Sequence, residues 1–569
     1  MDRPLSARHG LLALALLAGC TRTRLQCDPG YTAREDRCEL DDAGDAGDAV
    51  SDLGDTPEED APEDTEDLDT KDVTDAMDAM DVTDATDATD ATDTADTAPV
   101  DTTPPDTCAM NPDPVGDSLD QNCDGVDGLL DAQVYVDPAG GSDMSVGSAA
   151  RPVASLRRAF ELLGTERPTV LVRAATVPNT ALELPDGVRL YGGYGADWRG
   201  RDGVTTLRGT PGGTVVSVRG ARSGVLLSRF EVVALPSTNP GDSSIAMRVG
   251  DSGMVTLERV TLTAADGAPG ASGASGANGR PADNGRSAAG LEGGAGGTVC
   301  VAGGRGGAGQ YMIAGMLQTT GENGQPGMGN ASATGGIGGI GRHFARPDNG
   351  GAGDNGTDGV PGNPPGRVGV FTLSMGYQPR AAMAGTAGTP GAGGGGGGGV
   401  NFGSTPGNAN GGGGGGAGGC PGLGGSAGGA GGASVALLVS NTELTLENCT
   451  LQAGRGGAGG AGGAGGQGSN GGTPGNGAAD AGSPLGGNGG GGGAGGNGGP
   501  GAGGAGGPSY ALVRLEGARV TRRGGALMAQ PGGASGAGGV TPGARMLTAP
   551  PGEAGPSGEQ FPPLADGGT

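Results

Sequence analysis

From Val134 onward the apolar positions fall into short alternating runs. VYV spans 134–136, TVLVRAATV 169–177 and GVRLYGGY 187–194, and TTLRG, TVVSVRG and GVLLSRFEVVA follow before residue 236. Alternation over a few residues, bounded by Gly, Pro and Asp, predicts short strands that each bury one face. One stretch keeps a different period. In RPVASLRRAFELL, Leu156, Ala159, Phe160 and Leu163 recur at helical spacing, and Ser155 is placed to cap the helix.

Three later segments read alike: SSIAMRVGDSGMVTLERVTLTAADGAPGA from Ser243, ASVALLVSNTELTLENCTLQAGRGGAGG from Ala433 and PSYALVRLEGARVTRRGGALMAQPGGASG from Pro508. Each runs through apolar alternation, a turn and a second strand, then opens into glycine. A repeat of about 20 residues with two or three short strands is one coil of a solenoid. A single coil cannot bury its inner face, so the copies are expected to stack. Asn448 or Cys449 should point inward, and an inward Cys449 would be a core thiol. All three copies exit at the same point, which places the glycine-rich segments along one edge. Because loop-closure entropy grows slowly with length, excising 268–431 is expected to leave the coils folded.

Composition limits the size of that core. Glycine makes up 134 of 569 residues and aromatics 2%, where ordinary chains hold about 7% glycine. Two states are open to the insertions. Glycine loses the most entropy on ordering, which favours disorder or loose bundling. Yet GGAGGAGGAGG (456–466) and GAPGASGASGANG (267–279) keep a local period of three, which suits polyproline-II-like helices bonded side by side. The expected organisation is 132–265 for the first coils, insertions at 266–433 and 454–508, coils at 434–453 and 509–530, and a disordered tail at 531–569.

Charge marks off another segment. Residues 41–107 hold 25 Asp and Glu and one Lys, so 25 − 1 = 24 of the net −28 resides there. Asp recurs at every third position from Asp72 to Asp96. With little to bury and strong self-repulsion, this segment is expected to be an extended, disordered tether. Its acidity argues against nucleic acid as a partner, because phosphate contacts need Lys and Arg.

The tether ends at a ligand motif, DQNCDGVDGLLD. Asp120, Asn122 and Asp124 supply oxygens at positions 1, 3 and 5, Gly125 turns the loop, Val126 offers a carbonyl, and Asp131 closes it. That is calcium-loop spacing with Asp in place of the final Glu. It resembles dockerin-type loops and the metal-binding repeats of MopE-type secreted bacterial proteins. The expectation is weak, structural Ca²⁺ binding within a 108–131 loop.

The N-terminus carries an address. Arg3, Arg8 and His9 precede LLALALLAG (11–19), an apolar run too short to span a bilayer. It ends in LAGC, which looks like a bacterial lipobox. The resemblance implies removal of 1–19, acylation of Cys20 and sorting to the outer membrane, so the partner there is the membrane, through the lipid. CDPGYTAREDRC, within 20–40, is similar to the last loop of EGF-like modules and implies an oxidising compartment. Local cysteine pairs are expected, Cys27 with Cys38 and Cys108 with Cys123. Cys300 and Cys420 could tie the first insertion, which leaves Cys449 over.

The order strand, GSD…G…RP, helix, VLVRA, GVRLYGGY resembles the N-terminal part of pectin-lyase-like right-handed parallel β-helices. The resemblance implies a mainly β fold, a short right-handed parallel β-helix capped by the N-terminal helix. The insertions resemble the glycine-rich regions of PGRS-type surface proteins. No Ser-His-Asp, Cys-His, HExxH or phosphate-loop pattern occurs. His9 and His343 are the two histidines. The expected function is a non-catalytic cell-envelope lipoprotein that displays a scaffold for surface structure, adhesion, or binding of polysaccharide, matrix or other cells. The alternatives are a polysaccharide lyase or hydrolase and a glycine-rich bundle that binds a ligand.

Overall fold

The structure, a computed structural model, describes residues 31–34, 37–40, 112–310, 320–365, 369–401, 409–480, 484–543 and 546–562. Two units separate, Met1–Pro99 and Val100–Thr569. In the first, Tyr31–Arg34 and Arg37–Leu40 form an antiparallel pair with Ala33 opposite Cys38. Cys20, Cys27, Cys108, the signal segment and the acidic tether lie outside the described residues.

The second unit is mainly β and its large sheets are parallel. The chain visits three of them in rotation. The first sheet stacks Gln133–Val136, Thr169–Arg173, Arg189–Tyr194, Val225–Ser228, Met254–Glu258, Glu443–Glu447 and Arg519–Arg523. The second stacks Thr176–Thr180, Thr205–Pro211, Phe230–Leu235, Thr261–Ala264, Thr450–Ala453 and Ala526–Ala529. The third stacks Leu182–Leu184, Val216–Arg219, Ser244–Gly250, Ser434–Ser440, Ser509–Arg514 and Ser557–Phe561. Register places like residues above one another. Val134, Val170, Leu190, Leu227, Leu257 and Leu446 form one inward ladder, and Leu207, Val232, Leu262 and Leu451 form another. All are buried in a single core. A strand alone exposes its apolar face, which the adjacent layers and the other two sheets facing the same core remove from water.

Corners are turned by single residues in the left-handed region. Arg229, Arg259, Asn448 and Gly524 take φ of 65°, 50°, 52° and 77° between the first and second sheets. Asn448 is exposed there, and Cys449 beside it is the buried free thiol. The predicted helix forms as Leu156–Glu161, capped by the Ser155 hydroxyl accepting from the Arg158 amide.

The repeat pairs as the three segments align. Ser244 lies opposite Ser434, and Ser434 opposite Ser509. Each glycine excursion leaves after the second sheet and returns at the third, following Ala264, Ala453 and Ala529, which pair with one another.

The insertions correct the expectation of disorder. They form a lattice of glycine-rich runs joined by main-chain hydrogen bonds at three-residue intervals. Amides of 393–398 donate to carbonyls in 325–328, 413–416 and 348–351, and their carbonyls accept from 336–339, 304–307 and 487–490. One run therefore bonds six neighbours. Three residues per turn send successive amides about 120° apart, so every position faces a different partner. An interior run favours glycine at all three positions, and residues 393–399 are glycine throughout and buried. A Cβ on Gly395 would stand 2.0 Å from the Ile337 carbonyl oxygen. On an outer run only every third residue faces inward. In GAPGASGASGANG the Cβ of Gly273 would meet the Ser426 oxygen at 2.2 Å, while Ala271 and Ser272 are exposed. The entropy lost by glycine is offset because each ordered residue gains saturated main-chain bonds that a Cβ would block.

Register passes from coil to lattice. Ala264 pairs with Ala453, and the same offset of 189 recurs where Asp266, Asn278, Asn284 and Ser287 accept from the amides of Arg455, Gln467, Thr473 and Asn476. Cys300 and Cys420 are disulfide-bonded inside the lattice. The tail is corrected as well. Gly533, Gly536 and Gly539 donate to Gly507, Gly504 and Gly501, and Ser557–Phe561 pairs with Ser509–Arg514.

Nor are the insertions separable arms. The amides of Gly460, Gly463, Gly466 and Gly472 donate to Gly429, Ser426, Leu423 and Ala417, so excising 268–431 removes their acceptors. That deletion is expected to broaden or abolish the cooperative unfolding transition, measured by urea denaturation, against the neutral outcome that loop entropy alone suggests. Gly395→Ala should destabilise by about 3 kcal/mol through overpacking against backbone. Ser272→Ala, on the exposed face of an outer run, should change stability by less than about 0.5 kcal/mol.

Candidate metal site at the acidic loop

The loop between Asp113 and Asp131 lies against the outer face of the first sheet. Its local shape follows from short polar side chains. The Asn122 amide oxygen accepts from the Asp124 amide at 2.9 Å, Asp124 accepts from Val126 and Leu130 at 3.1 and 2.9 Å, and Asp120 accepts from Gly125 at 3.0 Å. Gly125 turns with φ 96°. Cys123 is disulfide-bonded.

A buried latch attaches the loop to the coil. Asp127, fully buried, accepts from the amides of Gly116 and Ser118 and from the Tyr194 hydroxyl at 2.9, 3.3 and 2.9 Å. Burial raises the Tyr194 pKa, with the Asp127 charge adding to it, so the phenol keeps the proton it donates. Arg201 is 1% exposed and donates to the carbonyls of Gly192, Gly116 and Ser228 at 3.0, 3.0 and 3.1 Å. Its guanidinium stands 5.2 and 5.3 Å from the Tyr191 and Tyr194 ring centres. Val126 packs with Tyr135, Leu171, Tyr191, Tyr194 and Trp198 in a second apolar cluster. The loop thus covers aromatic surface that would otherwise face water.

The carboxylates converge differently from the sequence spacing. Ligand oxygens of Asp113, Asp120 and Asp124 lie within 4.8 Å of one another, and so do those of Asp113, Asp117 and Asp127. Asp131 is exposed and joins neither group. The side chain of Val126 belongs to the aromatic cluster, and the Asn122 oxygen is held by a backbone amide. Asp113 is the residue that sequence reasoning missed. It stands upstream of the twelve-residue template, between Pro112 and Pro114, and no spacing rule reaches it.

Asp113 is 8% exposed, and neither of its carboxylate oxygens has a hydrogen-bond partner among the described residues. Asp120 Oδ1 and Gln121 Oε1 are buried in the same condition. Burial lifts the Asp113 pKa above its ordinary value, the charges of Asp127 and Asp117 add to this, and the nearby amides of Gly128 and Gln121 oppose it without meeting hydrogen-bond geometry. Arg199 approaches Asp120 Oδ2 at 3.3 Å and supplies only part of the missing positive charge. Unpartnered buried oxygens cost free energy, and a hard, oxygen-seeking cation such as Ca²⁺ fits this donor set. Asp113, Asp120 and Asp124 would hold it, while Asp127, whose oxygens are already used, would brace the loop.

No protein-family model matches the chain, and no curated protein matches it. Among solved structures, a chain titled rhamnogalacturonan lyase aligns over 23% of this chain and 40% of its own length, at 15% identity and a TM-score of 0.09. So limited an overlap decides neither fold nor activity.

Two outcomes test the ligand set. Ca²⁺ should raise the protease resistance of the loop in the wild type and in Asp131→Asn, but not in Asp113→Asn. The metal-free protein should respond to pH with a definite sign. A raised folded-state pKa contributes stability below the ordinary value of about 4, and that stability is lost as pH rises through the folded value. Chelated protein should therefore melt lower at pH 7 than at pH 4.5 in this region, and Ca²⁺ should reduce the difference. Asp113→Asn should reduce it too, leaving the part due to Asp127, whose pKa burial also raises.

Proposed function

We propose that the chain is a non-catalytic cell-envelope lipoprotein, anchored in the outer membrane through Cys20. The acidic tether carries a rigid scaffold, in which the three-sided stack is a short right-handed parallel β-helix with its N-terminal end under the Leu156–Glu161 helix. Calcium at the acidic loop ties that loop down and has a structural role. The displayed surface serves envelope structure, adhesion, or binding of carbohydrate or matrix.

One observation carries this reading: where the chain spends its length. The lattice takes up most of the residues after Ala264, and its interior is glycine bonded through the main chain on every side. Saturated main-chain bonding on every side favours a rigid body, as a display platform requires. At the acidic loop, Asp124 is engaged in turns and Asp127 in the latch.

The test is cell fractionation combined with protease treatment of whole cells. Wild-type protein is expected in the outer-membrane fraction and to be trimmed by external protease, and Cys20→Ala is expected in the soluble fraction. Membrane association that survives Cys20→Ala would overturn the anchor. Complete protection from external protease would overturn surface display.

A further inference from the structure

The last coil departs from the earlier ones at particular inward positions. The ladder running through Leu257 and Leu446 in the first sheet ends at Arg522. The ladder through Leu184, Val218, Val249 and Val439 in the third sheet ends at Arg514. A third, through Met247, Leu437 and Leu512, ends at Gln560. Where Val260 and Cys449 fill the corner of the two preceding coils, the aligned residue is Gly525. Arg522 is exposed, and Arg514 is partly buried with its Nε unpartnered among the described residues.

This end of the stack is also structurally open. Arg519–Arg523 and Ala526–Ala529 are the outermost strands of their sheets, and only the third sheet continues, to Ser557–Phe561. Val520 and Leu527 remain partly uncovered beneath the core. Unpaired strand edges beside an apolar floor invite another chain to add on. The opposite end carries the helix, which buries Leu156 and Ala159.

We infer that Arg514 and Arg522 terminate the coil, closing its C-terminal end against the parallel strands of a second copy. In the single chain Arg522 is exposed and Arg514 is partly buried, and a long apolar stem lets an inward arginine be tolerated at an open end. In the third sheet Ser557–Phe561 already lies beneath Ser509–Arg514, with pairing that stops at Val513 opposite Phe561. A strand layer docked beneath Arg519–Arg523 would bury the Arg522 charge without a partner and add a layer beside Arg514, which is strongly unfavourable. Two copies meeting end to end would bring arginine against arginine. The outward-facing Arg519 and Arg523 lie opposite Glu443 and Glu447, and Arg523 pairs with Glu447 at 2.9 Å, so their charge is offset within the layer above.

The experiment restores the residues of the coil above, as Arg514→Val with Arg522→Leu in the purified full chain, and measures mass by sedimentation equilibrium from about 1 to 50 µM. Wild type is expected to be monomeric throughout. The double variant, with its far-ultraviolet circular dichroism unchanged, is expected to at least double in mass across that range. Arg514→Lys with Arg522→Lys should stay monomeric, and so should Arg519→Ala with Arg523→Ala. A folded double variant that keeps the wild-type mass would overturn the inference, as would equal association of the outward-arginine variant. Should the double variant fail to fold, Arg522→Leu alone carries the same two outcomes.

Discussion

Everything in this protein depends on main-chain hydrogen bonds made sideways, to segments distant in sequence. The coil strands bond the layer above and the layer below, and the glycine runs bond up to six neighbours. Among the described residues, local hydrogen bonding comes from turns, corners, one short helix and a few short antiparallel pairs. Lateral bonding demands close approach of backbones, and in the lattice that demand falls on every face of an interior run. The glycine content is the steric consequence: a Cβ on an interior run would lie about 2 Å from a carbonyl oxygen.

The coil and the lattice are one register. Stacked strands lie about 4.8 Å apart, so excursions that leave from stacked alanines start as neighbours and already in phase. The offset of 189 that pairs Ala264 with Ala453 is still present at Ser287 and Asn476. The coil thus acts as a template that starts the runs in phase, and the side chains of Asp266, Asn278, Asn284 and Ser287 hold that phase along the outer pair. In return the lattice closes the corner that each excursion opens.

The two ends of the stack are finished by opposite means. At the start, a helix covers apolar surface, and beside it the acidic loop, held by Asp127, Arg201 and an aromatic cluster, covers the outer face of the first sheet. At the finish, side-chain chemistry changes from aliphatic to cationic at fixed ladder positions. Both solutions answer the same constraint, that a stack of strands has two ends which would otherwise keep adding layers.

The sequence by itself determined the strands, the helix with its Ser155 cap, the threefold repeat and the common exit point. These rest on local alternation, helical spacing and repetition, which a single chain displays directly. The exchange of Leu446 for Arg522 is also visible in the repeat, but its meaning depends on which face is inward. Tertiary structure alone decided the order of the insertions. The propensity of glycine argues for disorder, and the opposing term is a set of bonds to partners dozens to hundreds of residues away. The same holds for Asp113 in place of Asp131 at the carboxylate cluster. Ligand spacing is a local rule, whereas burial of an unpartnered carboxylate is a property of the packed loop and appears only when the chain has closed over it.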